Sequence, residues 1–156
     1  MSELDEFRST ILARQLRAEE AMHQGDPEPR LKLWSRRDPV SLIGGWGPNK
    51  FGWEDVSRTF RWVASRFSKG RDYRWDIEVA YVSGDLGYTV GYERSKASID
   101  GGPVEEHKLR VTHVYRREDG EWKIVHRHGD IAPVDQSPPK DASTAPTTIM
   151  SRSGQP

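Results

Sequence analysis

Cysteine is absent from the 156 residues, which excludes disulfides, thiolate chemistry and cysteine-based zinc sites. Net charge is absent too. The 24 Lys and Arg balance 24 Asp and Glu, so no whole-protein field draws the chain to nucleic acid or to an anionic membrane. No apolar run approaches the roughly 20 residues of a membrane span, and the opening from Met1 to Leu12 is acidic and amphipathic, unlike a signal peptide. These absences lead to the expectation of a soluble, cytoplasmic protein with no nucleic-acid partner and no membrane partner. Aromatic residues are lacking in one region. From Pro133 to Pro156 there is none, while five of the ten prolines fall there, and such a segment cannot bury enough surface to offset its ordering entropy. All six Trp and all five Tyr lie between Trp34 and Trp122. One domain, residues 1–132, is therefore expected to hold the core, with 133–156 a mobile Pro/Ser/Thr-rich tail.

What is present falls into two halves of different period. Ser2 and Asp5 have capping-box spacing, and Leu4, Phe7, Ile11, Ala18 and Met22 recur near one face of a first helix that Gly25 stops. Asp26-Pro27 opens a short second helix through Trp34. Val40–Ile43 is a short strand, followed by the loop Gly44-Gly45-Trp46-Gly47-Pro48. That loop lacks the Lys-Ser/Thr end of a phosphate loop, and Trp46 is too bulky to let backbone amides cradle a phosphate. A third helix carries Trp53, Val56, Phe60, Val63 and Phe67 at steps of three and four, with Gly70 read as its end. From Arg71 the period becomes two. Tyr73–Val82, Leu86–Ala97, Glu105–Arg117 and Glu121–Ile131 read as strands joined by hairpin turns at Ser83-Gly84-Asp85, Asp100–Pro103 and Glu118-Asp119-Gly120. Three helices followed by an antiparallel meander make an α+β domain, with helices over one face of the sheet.

The stretch from Leu109 to His128 resembles the closing hairpin of SnoaL-like proteins in the NTF2-like superfamily: Arg-x-Thr-x-Val, a polar Asp-Gly turn, then Trp-x-Ile-x-His-x-His. Gln24-Gly25-Asp26, the Gly-rich loop and Val82–Asp85 are similar as well, so the resemblance spans about residues 4–131. It implies the NTF2-like cone, three N-terminal helices packed on a curved antiparallel sheet, and a homodimer made through the convex face. It says little about chemistry, because isomerases, cyclases, hydratases, hydrolases and non-catalytic binders share this fold.

The hairpin itself locates a candidate site. With a three-residue turn at 118–120, Arg117 faces Glu121, Thr112 faces His126 and Arg110 faces His128. Strict alternation then puts Arg110, Thr112, Val114, Trp122, Ile124, His126 and His128 on one face, apolar at one end and polar at the other. That gradient suits a pocket, closed by Phe7, Ile11 and Phe60 from the helices. The opposite face, Leu109, Val111, His113, Tyr115, Val125 and Arg127, is apolar enough to need a cover, most simply a second copy of the chain.

His126 and His128 are the candidate acid–base pair, because imidazoles titrate near neutral pH. Arg110 is the candidate anchor for a carboxylate, enolate or phenolate, and Thr112, Trp122, Ile124 and Phe60 complete the substrate-binding set. The alternative is that both histidines are hydrogen-bonded rim residues tying the last strand to the first helix. His126-x-His128 with Asp130 also has the spacing of metal ligands, but Arg110 beside it repels a cation, and no metal or cofactor is expected. Asp76, Glu78 and Glu93 lie on the second hairpin, where aromatics on both faces leave alternation undecided; most strand carboxylates are solvated. Trp34, Trp46, Trp53 and Trp62 read as core and pocket-lid residues. The steroid isomerase mechanism does not transfer, since Val40–Trp46 holds no acid and the first helix no Tyr. The expectation is a small-molecule pocket protein, as a proton-transfer isomerase or cyclase acting on a small apolar or aromatic carbonyl or anionic compound, or as a non-catalytic ligand-binding or dimeric assembly module.

Overall fold

The computed structural model describes residues 1–132, so the tail read at 133–156 lies outside the described residues. Nine elements follow in order: α1 (Glu3–Met22), α2 (Glu28–Leu33), β1 (Ser41–Ile43), β2 (Asn49–Phe51), α3 (Trp53–Arg66), β3 (Phe67–Ser83), β4 (Leu86–Ile99), β5 (Glu105–Glu118) and β6 (Glu121–Ile131). The capping box forms as its spacing implies: the Ser2 hydroxyl accepts from the Asp5 amide at 3.1 Å and the Asp5 carboxylate accepts from the Ser2 amide at 3.2 Å. Asp26, just ahead of the Pro27 N-cap of α2, accepts from the Glu28 amide at 3.0 Å.

The strands form one sheet in the order β2-β1-β6-β5-β4-β3. The meander from β3 to β6 is antiparallel, whereas β1 joins β6 in parallel and carries β2 outward as an added edge. The glycine-rich loop is thus the turn of a small β1–β2 hairpin. Gly70 does not end the third helix. Phe67 already has extended backbone at the α3 C-cap, and Gly70 lies inside β3, where a Cβ would stand 2.8 Å from the His23 carbonyl oxygen at the end of α1. Glycine is needed there because strand and helix backbones meet.

The helices cover one face of the sheet, and the core fills the space between. Phe7, Ile11, Ala18 and Met22 of α1, Val56, Phe60 and Ala64 of α3, Leu31 and Trp34, and Tyr115 and Ile124 of the sheet are all buried. Phe7 sets its ring edge-on against Tyr115 at 5.3 Å and Trp122 at 4.9 Å between centroids, an arrangement aromatic rings favour.

The register of β5 on β6 differs from the expected one. The turn has two residues, Asp119 and Gly120, so Glu118 faces Glu121 and Arg117 faces Trp122. Past Tyr115–Ile124 the register shifts, and Val114 faces His126 while Thr112 faces His128 and Arg110 faces Asp130. Val125 is the extra residue of a β-bulge, and a bulge exchanges the faces of everything beyond it. Trp122 and Ile124 therefore point under the helices, while His126 and His128 point to the outer face. The second face expected to need a partner is the helix-covered one: Val111 is 2% exposed and Tyr115 3%, both buried within the protomer.

Candidate functional site

A cavity of about 240 Å3 opens between the helices and the inner face of the sheet. Leu42, Phe60, Val63, Phe67 and Leu109 supply apolar wall, and Trp46 with Gly44, Gly45 and Pro48 brings the β1–β2 turn to its edge. Arg66 holds Trp46 in place, its guanidinium 4.2 Å from the Trp46 ring centre and 5.1 Å from that of Trp62. Of the tryptophans read as core and pocket-lid residues, Trp46 lies at the cavity edge and Trp34 in the closed core, whereas Trp62 is 47% exposed.

The polar end of the cavity is built from charges that cancel in pairs. On β4, Glu93 is buried and takes Arg127 of β6 in a two-pronged ion pair, Nη2 to Oε2 at 2.6 Å and Nη1 to Oε1 at 3.1 Å. The Tyr73 hydroxyl and the Gln15 amide add donors to Oε1 at 2.8 and 3.0 Å. Burial alone would raise the Glu93 pKa, but the charge and hydrogen bonds of Arg127 override it and hold the carboxyl well below the usual range. Arg127 Nη1 also reaches His113 Nε2 at 3.0 Å. That nitrogen must then accept, so the His113 proton sits on Nδ1 and is directed to the Tyr115 oxygen at 3.2 Å. Burial and the Arg127 charge press the His113 pKa down to about 3, which keeps it neutral. A second pair, Glu19 of α1 with Arg30 of α2, closes the floor through two hydrogen bonds, one of them at 2.8 Å.

His23, at the C-terminus of α1, stands apart from these pairs. Its ring packs edge-on against Phe67 at 4.6 Å, its Nε2 lies 3.4 Å from Ser95 Oγ, and its Nδ1 is buried without a partner. Burial lowers its pKa, with Glu19 opposing the shift and Arg30 adding to it.

Of the candidate catalytic and substrate-binding residues, His126, His128, Arg110, Thr112, Trp122, Ile124 and Phe60, only Phe60 lines this cavity. Ile124 lies in the core, and Trp122 borders a groove beside α1 with Arg117 and Glu121. Arg110, Thr112 and His128 meet on the outer face in a shallow groove with Tyr92 and Asp130. There Arg110 is paired with Asp130 at 2.6 Å, so it is not a free anion anchor. His126 shares that face, its Nδ1 2.7 Å from Ser41 Oγ; burial and neighbouring His128 lower its pKa. Among the described residues, no group of three or more His, Asp or Glu side chains is placed to hold a metal ion.

The inward acid on the second hairpin is Glu93; Glu78 lies on the outer groove, and Asp76 pairs with Arg74 at 2.7 Å. A signal for the rest of the floor was available. Gln15 and Glu19 continue the apolar stripe of Phe7, Ile11, Ala18 and Met22, and His113 and Arg127 share the face of Val111 and Tyr115. A polar residue on a stripe that must be buried announces a buried partner.

The SnoaL-like domain model matches residues 11–134. No functionally curated protein matches the sequence. Among solved structures, a candidate dehydratase of the NTF2-like family from Streptomyces avermitilis superposes with a TM-score of 0.70 at 22% identity, over 83% of this chain and 98% of that one. A candidate calcium/calmodulin-dependent protein kinase II association domain from Xanthomonas campestris follows at 0.65 and 17%, over 86% and 91%. A ketosteroid isomerase-like protein from Erwinia carotovora atroseptica follows at 0.64 and 15%, over 80% and 96%. At these identities the likeness is one of fold. Among the described residues, no helix is long and apolar enough to cross a membrane.

Proposed function

The chain belongs to the SnoaL-like family, and from that premise we propose that it is a small-molecule pocket protein whose ligand is neutral and largely apolar. One observation carries this reading: the cavity has apolar walls over a floor whose charges cancel, Glu93 against Arg127 and Glu19 against Arg30. A charged ligand seated on that floor would lose its hydration against charges that are already paired, which is costly; the other charged residues of the lining, Glu106 and Lys108, are one of each sign. A neutral molecule with an apolar body and one polar atom meets no such cost. The volume, about 240 Å3, lies just under the range of about 300–1,000 Å3 usual for drug-sized ligands and favours a small one.

The test uses the neutral dye N-phenyl-1-naphthylamine, whose fluorescence rises on entering an apolar site. We expect saturable binding of one dye per chain, lost when Val63→Trp fills the cavity while the melting temperature holds. Binding that survives Val63→Trp sinks the pocket reading.

The second reading is a proton-transfer enzyme, an isomerase or cyclase. What favours it is His23, an imidazole that lines the cavity outside both ion pairs and whose pKa is lowered by burial. In that reading His23 takes the acid–base role first given to His126 and His128, which lie on the far side of the sheet. We further propose a second copy of this chain as partner, seated on the outer face, where Tyr81, Leu86, Tyr88 and Val90 are exposed at 56%, 57%, 40% and 39%. Contiguous apolar residues exposed on a sheet mark an interaction surface.

A further inference from the structure

The burial of the cavity lining locates its mouth. Phe60, Glu93 and Arg127 are buried at the inner end, whereas Trp46, Phe67 and His107 are half-buried at the outer one. These three rings cross the opening in a line. Phe67 meets Trp46 in a tilted stack at 5.2 Å and His107 edge-on at 6.4 Å between centroids. Phe67 and His107 belong to β3 and β5, strands of 17 and 14 residues that pair with β4 along most of their length. Trp46 instead stands on a turn between strands of three residues each, and β2 pairs with β1 alone at the edge of the sheet. A segment with so few tertiary partners opens locally at low free energy. The next residue, Gly47, has φ of 97° and open space where a Cβ would stand, so the tip of the turn has room to swing. Of the three rings, Trp46 is the one free to move.

What holds Trp46 against Phe67 comes from outside its own turn. The Arg66 guanidinium lies 4.2 Å from the Trp46 ring centre, and Trp62 adds its ring edge-on at 5.9 Å. Arg66 is itself fixed to the β4–β5 turn: it gives Nε and Nη2 to the Asp100 carboxylate at 3.2 and 2.8 Å, and its carbonyl accepts from the Asp100 amide at 2.8 Å. When Trp46 swings out, Arg66 stays behind on Asp100. The contact that breaks is the cation–ring one, which at an exposed site is worth about two- to fivefold in an equilibrium.

We propose that Trp46 is a gate on the cavity, latched by Arg66 and Asp100, that sets how fast a ligand enters and leaves without setting how tightly it binds. The assignment rests on the pocket reading above and adds the control of access to it. The latch is made at the mouth, clear of the floor, and is the same whether the cavity is empty or filled. Weakening it therefore lowers the barrier equally in both directions.

Stopped-flow mixing with N-phenyl-1-naphthylamine measures both rates. Arg66→Met keeps an apolar stem and removes the charge. It is expected to raise association and dissociation together, about two- to fivefold each, and to leave Kd unchanged. In a Trp46→Ala background, where no ring remains to latch, the same substitution is expected to change neither rate. A readout without ligand keeps gate and pocket apart. Relaxation dispersion of indole N–H signals in 15N-labelled protein is expected to show exchange at Trp46 and none at Trp34 in the core, with the minor state growing two- to fivefold in Arg66→Met. The gate is overturned if Arg66→Met leaves both rates unchanged, if it raises dissociation alone and weakens Kd, or if its effect persists without Trp46. A Trp46 indole without latch-dependent exchange overturns it too, even where the dye binds as the pocket reading requires. If the wild-type chain takes up no dye, the pocket reading falls and takes the gate with it.

Discussion

Replacing Arg127 by Met removes the cation on which the cavity floor is balanced while keeping a side chain of similar length. Glu93 loses both prongs of its ion pair. Its Oε1 keeps Tyr73 and Gln15 as donors, but Oε2 keeps none among the described residues, because Arg127 Nη2 was its partner. His113 Nε2 loses its donor as well. Breaking a buried pair from one side costs about 3–5 kcal/mol, and the surviving donors on Oε1 place this case toward the lower end. The pH dependence carries the finer test. In the native chain Glu93 is held below its ordinary value, so its contribution is present above the ordinary carboxylate value and fades only as pH falls beneath it; between pH 5 and 8 it adds no slope. Without Arg127, burial, the largest contribution, is opposed only by Arg30, His113 and the donors on Oε1 and is expected to raise the Glu93 pKa above its unfolded value. The folded variant then binds a proton that the unfolded chain does not, and its stability increases as pH falls, by at most about 1.4 kcal/mol per pH unit. Protonation of His113 in place of Glu93 has the same sign. Urea unfolding at pH 7.5 and 5.5 measures both quantities, and Glu93→Leu combined with Arg127→Met should recover most of the loss, since an apolar pair carries no buried charge. A loss under about 1 kcal/mol, or one that is the same at both pH values, refutes the reasoning.

Two further perturbations test the frame around the site. Gly70→Ala puts a Cβ 2.8 Å from the His23 carbonyl oxygen and should cost about 1–3 kcal/mol by overpacking, with His23 ring resonances shifting; a neutral substitution would mean that α1 and β3 are not in contact. Val90→Glu, on the outer face, should turn a dimer into a monomer by light scattering at micromolar concentration with less than about 0.5 kcal/mol change in monomer stability. A wild-type chain that is monomeric there, or an interface burying less than about 1,200 Å2 in total, removes the second copy from that face.

Most of the fold was legible because it follows from periods. The stripe from Trp53 to Phe67 and the switch to alternation after Arg71 reflect helix and strand geometry directly, and the SnoaL-like resemblance of the last hairpin agrees with both. The site was not legible in the same way, and the reason is local to two positions. A two-residue turn in place of a three-residue one shifts the register by one, and the bulge at Val125 reverses the faces beyond it. Neither leaves a mark in the residue pattern: Asp119-Gly120 serves either turn, and Val125 is an ordinary strand residue. Alternation counted from Trp122 therefore reaches His126 on the wrong side of the sheet.

A different constraint would have reached the right side. The sheet has one face under helices, and the face with more obligatory burial must be that one. Val111, Tyr115 and Leu109 outweigh Thr112, Val114 and Arg110 in apolar surface, so burial alone assigns His113 and Arg127 inward. Once Arg127 is inward it needs a carboxylate, because an unpaired guanidinium there would cost several kcal/mol. Three acids on the second hairpin were candidates. Glu93 is the one that pairs across β4–β5 with Leu109, already on the inward face, and Gln15 and Glu19 on the buried stripe of α1 approach from the other side. The polar floor is thus deducible from charge balance where side-chain alternation fails. The same balance, Glu93 against Arg127 and Glu19 against Arg30, is what favours a neutral ligand in the proposed pocket.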